Sequence, residues 1–210
     1  MNIKIHKIIA GPFQENGYVV HGENTENCLL IDPGDKPELY IQTIEENNLK
    51  PLAIINTHGH LDHIHAIQPV KDHFSIPFYI HENEKMFIDH YPKGCLMYGM
   101  TPNKTPEVDH WLTDETEIKI GEYNIAVIHT PGHTPGGVCY RFNGDMFTGD
   151  TLFKGSIGRT DLPGGNYNTL MNSLSRLINE LPGDMRVHSG HGPSTTIQEE
   201  TISNPFLAEL

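Results

Sequence analysis

A chain of 210 residues is long enough for one large sandwich or α/β core. Its 37% apolar and 20% charged residues are ordinary globular usage, which excludes collagenous, coiled-coil and disordered classes. A net charge of −13 argues against a nucleic-acid partner, because phosphate binding needs clustered Lys and Arg that release counterions.

The opening MNIKIHKIIAGPF alternates over residues 3–9 and predicts a first strand; it lacks the continuous apolar core of a leader. Short apolar runs at 17–21 and 28–31, bounded by Gly, Asn and Pro, predict two more strands. Residues 35–47 predict a helix with Asp35 as cap and Pro37 in its first turn, and residues 52–55 a strand that runs into Thr57. Helices are expected over 64–72 and 82–90, with a strand at 77–80 between them and an irregular Pro- and Gly-containing stretch over 91–109. A second strand series follows at 117–120, 124–128, 137–142 and 146–148. The clearest helix is 166–181, where Leu170, Leu174, Leu177, Ile178 and Leu181 recur three or four apart before Pro182 and Gly183. A strand at 185–188 and a helix from about Ser194 complete the chain. Strands then helices, twice over, imply two central sheets with helices outside, and no linker composition divides them. No stretch is long and apolar enough for a bilayer span. Cys28, Cys95 and Cys139 are odd in number and far apart, so a cytoplasmic chain with free thiols and no membrane partner is expected.

Fourteen histidines are the anomaly, and several crowd into Gly- and Pro-containing segments. His58-Gly59-His60-Leu61-Asp62-His63 places three imidazoles and a carboxylate at the end of a predicted strand. Residues two apart in extended chain share a face, so His58 and His60 can meet one ion while the following turn presents Asp62 and His63 to a second. His133, Asp150 and His191 each begin a loop after a predicted strand. This nitrogen and oxygen set suits Zn, Fe or Mn.

The HxHxDH block, followed in order by His133, Asp150 and His191, resembles the metallo-β-lactamase superfamily, and the likeness spans most of the chain. TGDTLFKGSIGRTDLPGG and HSGHGPSTTIQEE are similar to short hydrolases of the glyoxalase II (hydroxyacylglutathione hydrolase) type. The resemblance implies an α/β fold, a four-layer αββα sandwich of two mixed sheets with outer helices, as one domain over residues 1–210. It implies two divalent metal ions, Zn foremost with Fe or Mn as alternatives. One ion falls to His58, His60 and His133, the other to Asp62, His63 and His191, with Asp150 bridging. Such a pair would lower the pKa of a shared water from about 15.7 towards about 7. The resulting hydroxide, oriented by Asp62 as the catalytic carboxylate, would cleave a small acyl thioester whose thiolate leaves without a strong general acid.

Arg159 is the expected substrate contact, since the segment 155–159 would lie beside the metals and a guanidinium suits carboxylates. Glyoxalase II relatives hold glutathione with a C-terminal helical extension, whereas this chain stops soon after His191, so the thiol carrier stays open. A second reading within the same superfamily is a persulfide dioxygenase with one iron on His58, His133 and Asp150 and a Gly-Arg-Thr-Asp loop at 158–161. His65 is expected beside or behind the site, His129 and His188 in structural roles, and His6, His21, His73, His81, His90 and His110 have no assigned function. The residues set no oligomeric state.

Overall fold

In the computed structural model, which describes residues 2–113 and 115–209, two six-stranded sheets lie face to face. The first half of the chain supplies one sheet: β1 (Ile3–Ala10), β2 (Glu15–Gly22), β3 (Asn27–Ile31), β4 (Lys50–Ile55), β5 (Phe78–His81) and β6 (His110–Leu112), hydrogen-bonded in that order. β1, β2 and β3 pair antiparallel, while β3, β4, β5 and β6 pair parallel. Helices α1 (Pro37–Glu46), α2 (Leu61–Ile64), α3 (Ile67–Phe74), α4 (Lys85–Asp89) and α5 (Tyr91–Met97) fall in the connections between its parallel strands.

The second half supplies β7 (Glu117–Ile120), β8 (Tyr123–His129), β9 (Val138–Phe142), β10 (Asp145–Gly149), a small hairpin β11 (Leu152–Phe153) and β12 (Ser156–Ile157), α6 (Tyr167–Glu180), β13 (Arg186–Ser189), β14 (Thr195–Thr196) and α7 (Ile197–Ser203). Its sheet runs β14-β13-β10-β9-β8-β7 and is antiparallel except for the parallel β10–β13 pair.

Alternation along the strands makes the layers. In β3, Leu29 and Ile31 point to the middle and join Ile125, Val127, Tyr140 and Phe147 of the other sheet. Cys28 and Leu30 point the opposite way, onto Tyr40, Ile44, Ile67 and Val70 of the outer helices. Across the molecule, Cys139, Met146 and Val187 pack beneath Leu170, Leu174 and Leu177 of α6, which is capped by Asn166 accepting from the Thr169 amide. The fold is therefore the expected αββα sandwich.

Local details differ from expectation for identifiable reasons. Asp35 does not cap α1: its Oδ1 accepts from the Lys36 amide, and Lys36 takes the N-cap position with φ 56°. The helix expected over 64–72 is split, because the Ala66 amide bonds the carbonyls of Pro33 and Gly34 and the chain bends there into α2 and α3. The stretch expected to be irregular holds α5, in which Pro92 falls in the first turn where its missing N–H costs nothing. β11, β12 and β14 are two residues long, too short for any periodicity to register.

Candidate metal centre

β3 and β4 run parallel in one sheet, and β8, β10 and β13 share a direction in the other, so their C-terminal ends collect at one edge of the sandwich. β4 delivers His58, His60, Asp62 and His63; the loops after β8, β10 and β13 deliver His133, Asp150 and His191. This edge is laced across the two sheets. The Val138 amide bonds the Thr57 carbonyl at 2.9 Å and the Asn16 amide the Gly190 carbonyl at 2.7 Å, while the Tyr140 and Tyr18 hydroxyls donate to Asn56 and Ser189 carbonyls at 2.8 and 2.6 Å. Asn56 also donates from its side chain to the His63 carbonyl, bracing the histidine loop from below.

Partners behind the rings decide which nitrogen faces the centre. Thr57 donates its single hydroxyl proton to Asp32 Oδ2 at 2.6 Å, so the 3.1 Å contact of its oxygen with His58 Nδ1 requires the ring N–H to donate, leaving the lone pair on His58 Nε2. His133 Nδ1 likewise donates to the Arg159 carbonyl at 2.7 Å, and His63 Nδ1 to Asp32 Oδ2 at 3.0 Å. The Nε2 atoms of His58 and His63 and Oδ1 of Asp150 are buried without a hydrogen-bond partner among the described residues, while His60 turns its Nδ1 to His133 Nε2 at 2.8 Å. Buried polar atoms left bare cost free energy, so three of them at one edge mark a place for a cation.

Two clusters form. Ligand atoms of His58, His60 and His133 lie within 4.8 Å of one another, and so do those of Asp62, His63 and His191. Asp150 stands between them: Oδ1 is 3.3 Å from His63 Nε2, and Oδ2 is 3.6 Å from His133 Nε2 and 3.7 Å from His191 Nε2. Asp62 Oδ2 is 3.3 Å from His191 Nε2. Asp32, His58 and His63 are also close enough to form a group, but both Asp32 oxygens are already occupied by Thr57 and His63. The donor set of imidazole and carboxylate fits divalent zinc, iron or manganese.

Electrostatics divides the clusters. Burial, then the neighbouring imidazoles His63, His60 and His133, lowers His58 well below the ordinary value; burial also lowers His133 and takes His60 down to about 3. These rings are neutral, as ligands must be. For Asp150, burial by itself favours the protonated carboxyl and raises its pKa, yet His63, His133 and His191 outweigh that and hold it well below the carboxylate range.

All seven expected ligands meet at this edge. Arg159 lines the same cavity, of about 400 Å³, but its guanidinium is held by both oxygens of Asp161 at 2.7 Å, and its contact with the centre runs through its carbonyl to His133. Phe153 stands in the cavity wall with Phe13 and Ile157. His65 points away, its Nδ1 2.8 Å from the Tyr91 hydroxyl. His129 stacks on His81, and His188 bonds Asp145 and Ser194. Lys154 pairs with Glu199 at the surface.

Two acids went unnoticed in the sequence. Asp32, at the end of β3, reads there as a turn residue before Pro33 and Gly34, yet it orients His63 directly and His58 through Thr57. Glu84, in a short turn of 3₁₀ helix after β5, accepts from the Gly59 amide at 2.7 Å and the Gly136 amide at 2.6 Å, bolting together the loops that carry His60 and His133. The only prior signal for either was an acid following an apolar strand.

Residues 10–191 match the family model of the metallo-beta-lactamase superfamily. The chain is 39% identical over 211 residues to hydroxyacylglutathione hydrolase GloC of Haemophilus influenzae, covering 99% of this chain and 98% of that one. Among solved structures it is similar to the BLEG-1 B3 metallo-beta-lactamase, with TM-score 0.91, 40% identity and coverage of 97% and 99% of the two chains. It is also similar to TTHA1623 in a di-iron-bound form, with TM-score 0.87, 37% identity and coverage of 96% and 100%.

Proposed function

Since this chain belongs to the metallo-beta-lactamase superfamily and is a metal-dependent hydrolase of that kind, we propose that it cleaves a small acyl thioester, the class to which hydroxyacylglutathione belongs. The observation that carries this reading is the pair of ligand clusters sharing Asp150 at the floor of an open cavity. His58, His60 and His133 would hold one ion, Asp62, His63 and His191 a second, and Asp150 both. When bound, the ions acidify water and polarise a carbonyl, which is the chemistry a thioester needs.

The protein's own groups complete the task. Asp62, partly exposed at the cavity floor, turns a carboxylate oxygen toward His191, so it can orient the attacking water and take its proton at an Oδ atom. Phe13, Phe153 and Ile157 give the cavity an apolar wall. A thiolate leaving group is stable enough at neutral pH that no protein acid has to protonate it. The likeness to GloC supports a thioester; the likeness to BLEG-1 makes a β-lactam the second substrate to assay. In the one-iron oxygenase reading, the convergence of Asp62, His63 and His191 would have no task.

Metal analysis of protein purified without added metal, combined with assays of S-lactoylglutathione hydrolysis and persulfide-dependent oxygen uptake, tests the proposal. Two metals per chain with thioester cleavage is the expected result, and a single iron with oxygen uptake overturns it. Asp62→Ala is expected to keep the fold, by circular dichroism, and to lose about a hundredfold or more in kcat; unchanged turnover would remove Asp62 from the mechanism.

A further inference from the structure

Beside the metal cavity lies a second one of about 310 Å³, and the two share His60, Leu61, Tyr98 and Leu162 as common wall. Their chemistry differs sharply. The metal cavity presents Asp62, Asp150, Arg159 and three imidazoles, whereas the only fixed charge in the lining of the second is Lys93. Its walls come from α4 and α5. Phe87 sets its ring edge on His60 at 4.9 Å between centroids, and Met86 and Met97 flank the groove with 41% and 76% of their surface in water. Thioether side chains are unbranched and adaptable, so such walls follow the shape of a flexible apolar guest. Leaving this much apolar surface in contact with solvent next to a reaction centre is costly unless something covers it.

We propose that this groove receives an unbranched apolar chain attached to the scissile group, so that the substrate is an aliphatic thioester rather than a compact polar one. The proposal rests on the thioester reading of the metal centre. The shared wall of His60 and Leu61 lets a chain leave the reacting carbonyl or its sulfur and run along the apolar side chains past Phe87. The amide-rich arms of a peptidic thiol would find few hydrogen-bonding partners on these walls, and their desolvation would go uncompensated.

Two substrate series on the metal-loaded protein separate the two ends of the thioester. One extends the acyl group from acetyl to octanoyl on N-acetylcysteamine; the other keeps acetyl and lengthens an alkyl thiol. In the series whose chain enters the groove, kcat/KM should rise by up to about fourfold per methylene until the groove is full. Cleavage of thioesters with no dependence on length in either series overturns the proposal.

Gly94 in α5 lines the groove, and a Cβ built there meets nothing within 4 Å. Gly94→Phe adds bulk at a wall position whose Cβ meets no neighbour, and if the ring fills the groove the octanoyl to acetyl ratio of kcat/KM should fall at least tenfold. A non-hydrolysable octyl thioether of N-acetylcysteamine, compared with its ethyl homologue by calorimetry, keeps the two ideas apart. Tighter binding of the octyl compound, weakened by Gly94→Phe, with no thioester turnover would retain the groove and reject the thioester reading. Equal binding of both rejects the groove. A concentration-dependent dimer abolished by Met97→Glu, with no chain-length effect, would assign this face to a second copy and overturn the proposal.

Discussion

Asp32 holds its two nearest partners in a chain of donations: the Thr57 amide to Oδ1, the Thr57 hydroxyl and His63 Nδ1 to Oδ2. Every one of these is a donor, and the two Asp32 oxygens accept all three. Asp32→Asn sets an amide NH₂ against one of them and frees His63 to rotate or change tautomer. Metal affinity should weaken by about 10- to 100-fold, read by competition with a chromogenic chelator, while the circular dichroism spectrum stays the same; undiminished affinity would reduce Asp32 to a turn residue. The seven proposed ligands were legible in the sequence because four of them fall within six residues and the others follow strands. Asp32 was not, since its partners, Thr57 and His63, are 25 and 31 residues away and only the parallel β3–β4 pairing brings them near.

At the scale of elements, Glu84 is the joint between the β5–α4 turn and two ligand loops. Burial is the largest influence on it and pushes its carboxyl up to about 7, against bonds from Thr134, Gly59 and Gly136 that favour the charged form. The folded chain then binds this proton more tightly than the unfolded chain does between the ordinary value of 4.5 and about 7. The stability it contributes is present at the acid end of that window and is lost as pH rises through it, at no more than about 1.4 kcal/mol per unit. Glu84→Gln removes the titration, so the stability difference between native protein and variant should shrink steadily from pH 5 to 7.5 in denaturant titrations; a constant difference would refute the shift. Most strands and α6 were readable because their apolar repeats follow one partner surface. α2, α3 and α5 were not: their limits are set by the Pro33 and Gly34 carbonyls and by a tolerated Pro92, contacts that no local window contains.

Over the whole molecule, sheet membership follows chain order. The strands up to Leu112 build one large sheet and those from Glu117, apart from the β11–β12 hairpin, the other, and the proposed ligands divide four and three between these halves. The two-sheet architecture was visible as two successive strand series, although their cross-sheet ties at the ligand edge were not, being bonds between backbone groups far apart in sequence. Because a cation held here would touch both halves, it acts on their separation as well as on a substrate. Cutting the connection between β6 and β7 and producing the pieces as separate polypeptides turns that dependence into an assembly reaction. The pieces should co-elute in zinc-containing buffer and drift apart when a chelator is added, as a split reporter does when its inducer is withdrawn. Pieces that stay together equally well with chelator would mean that the apolar interface alone joins them.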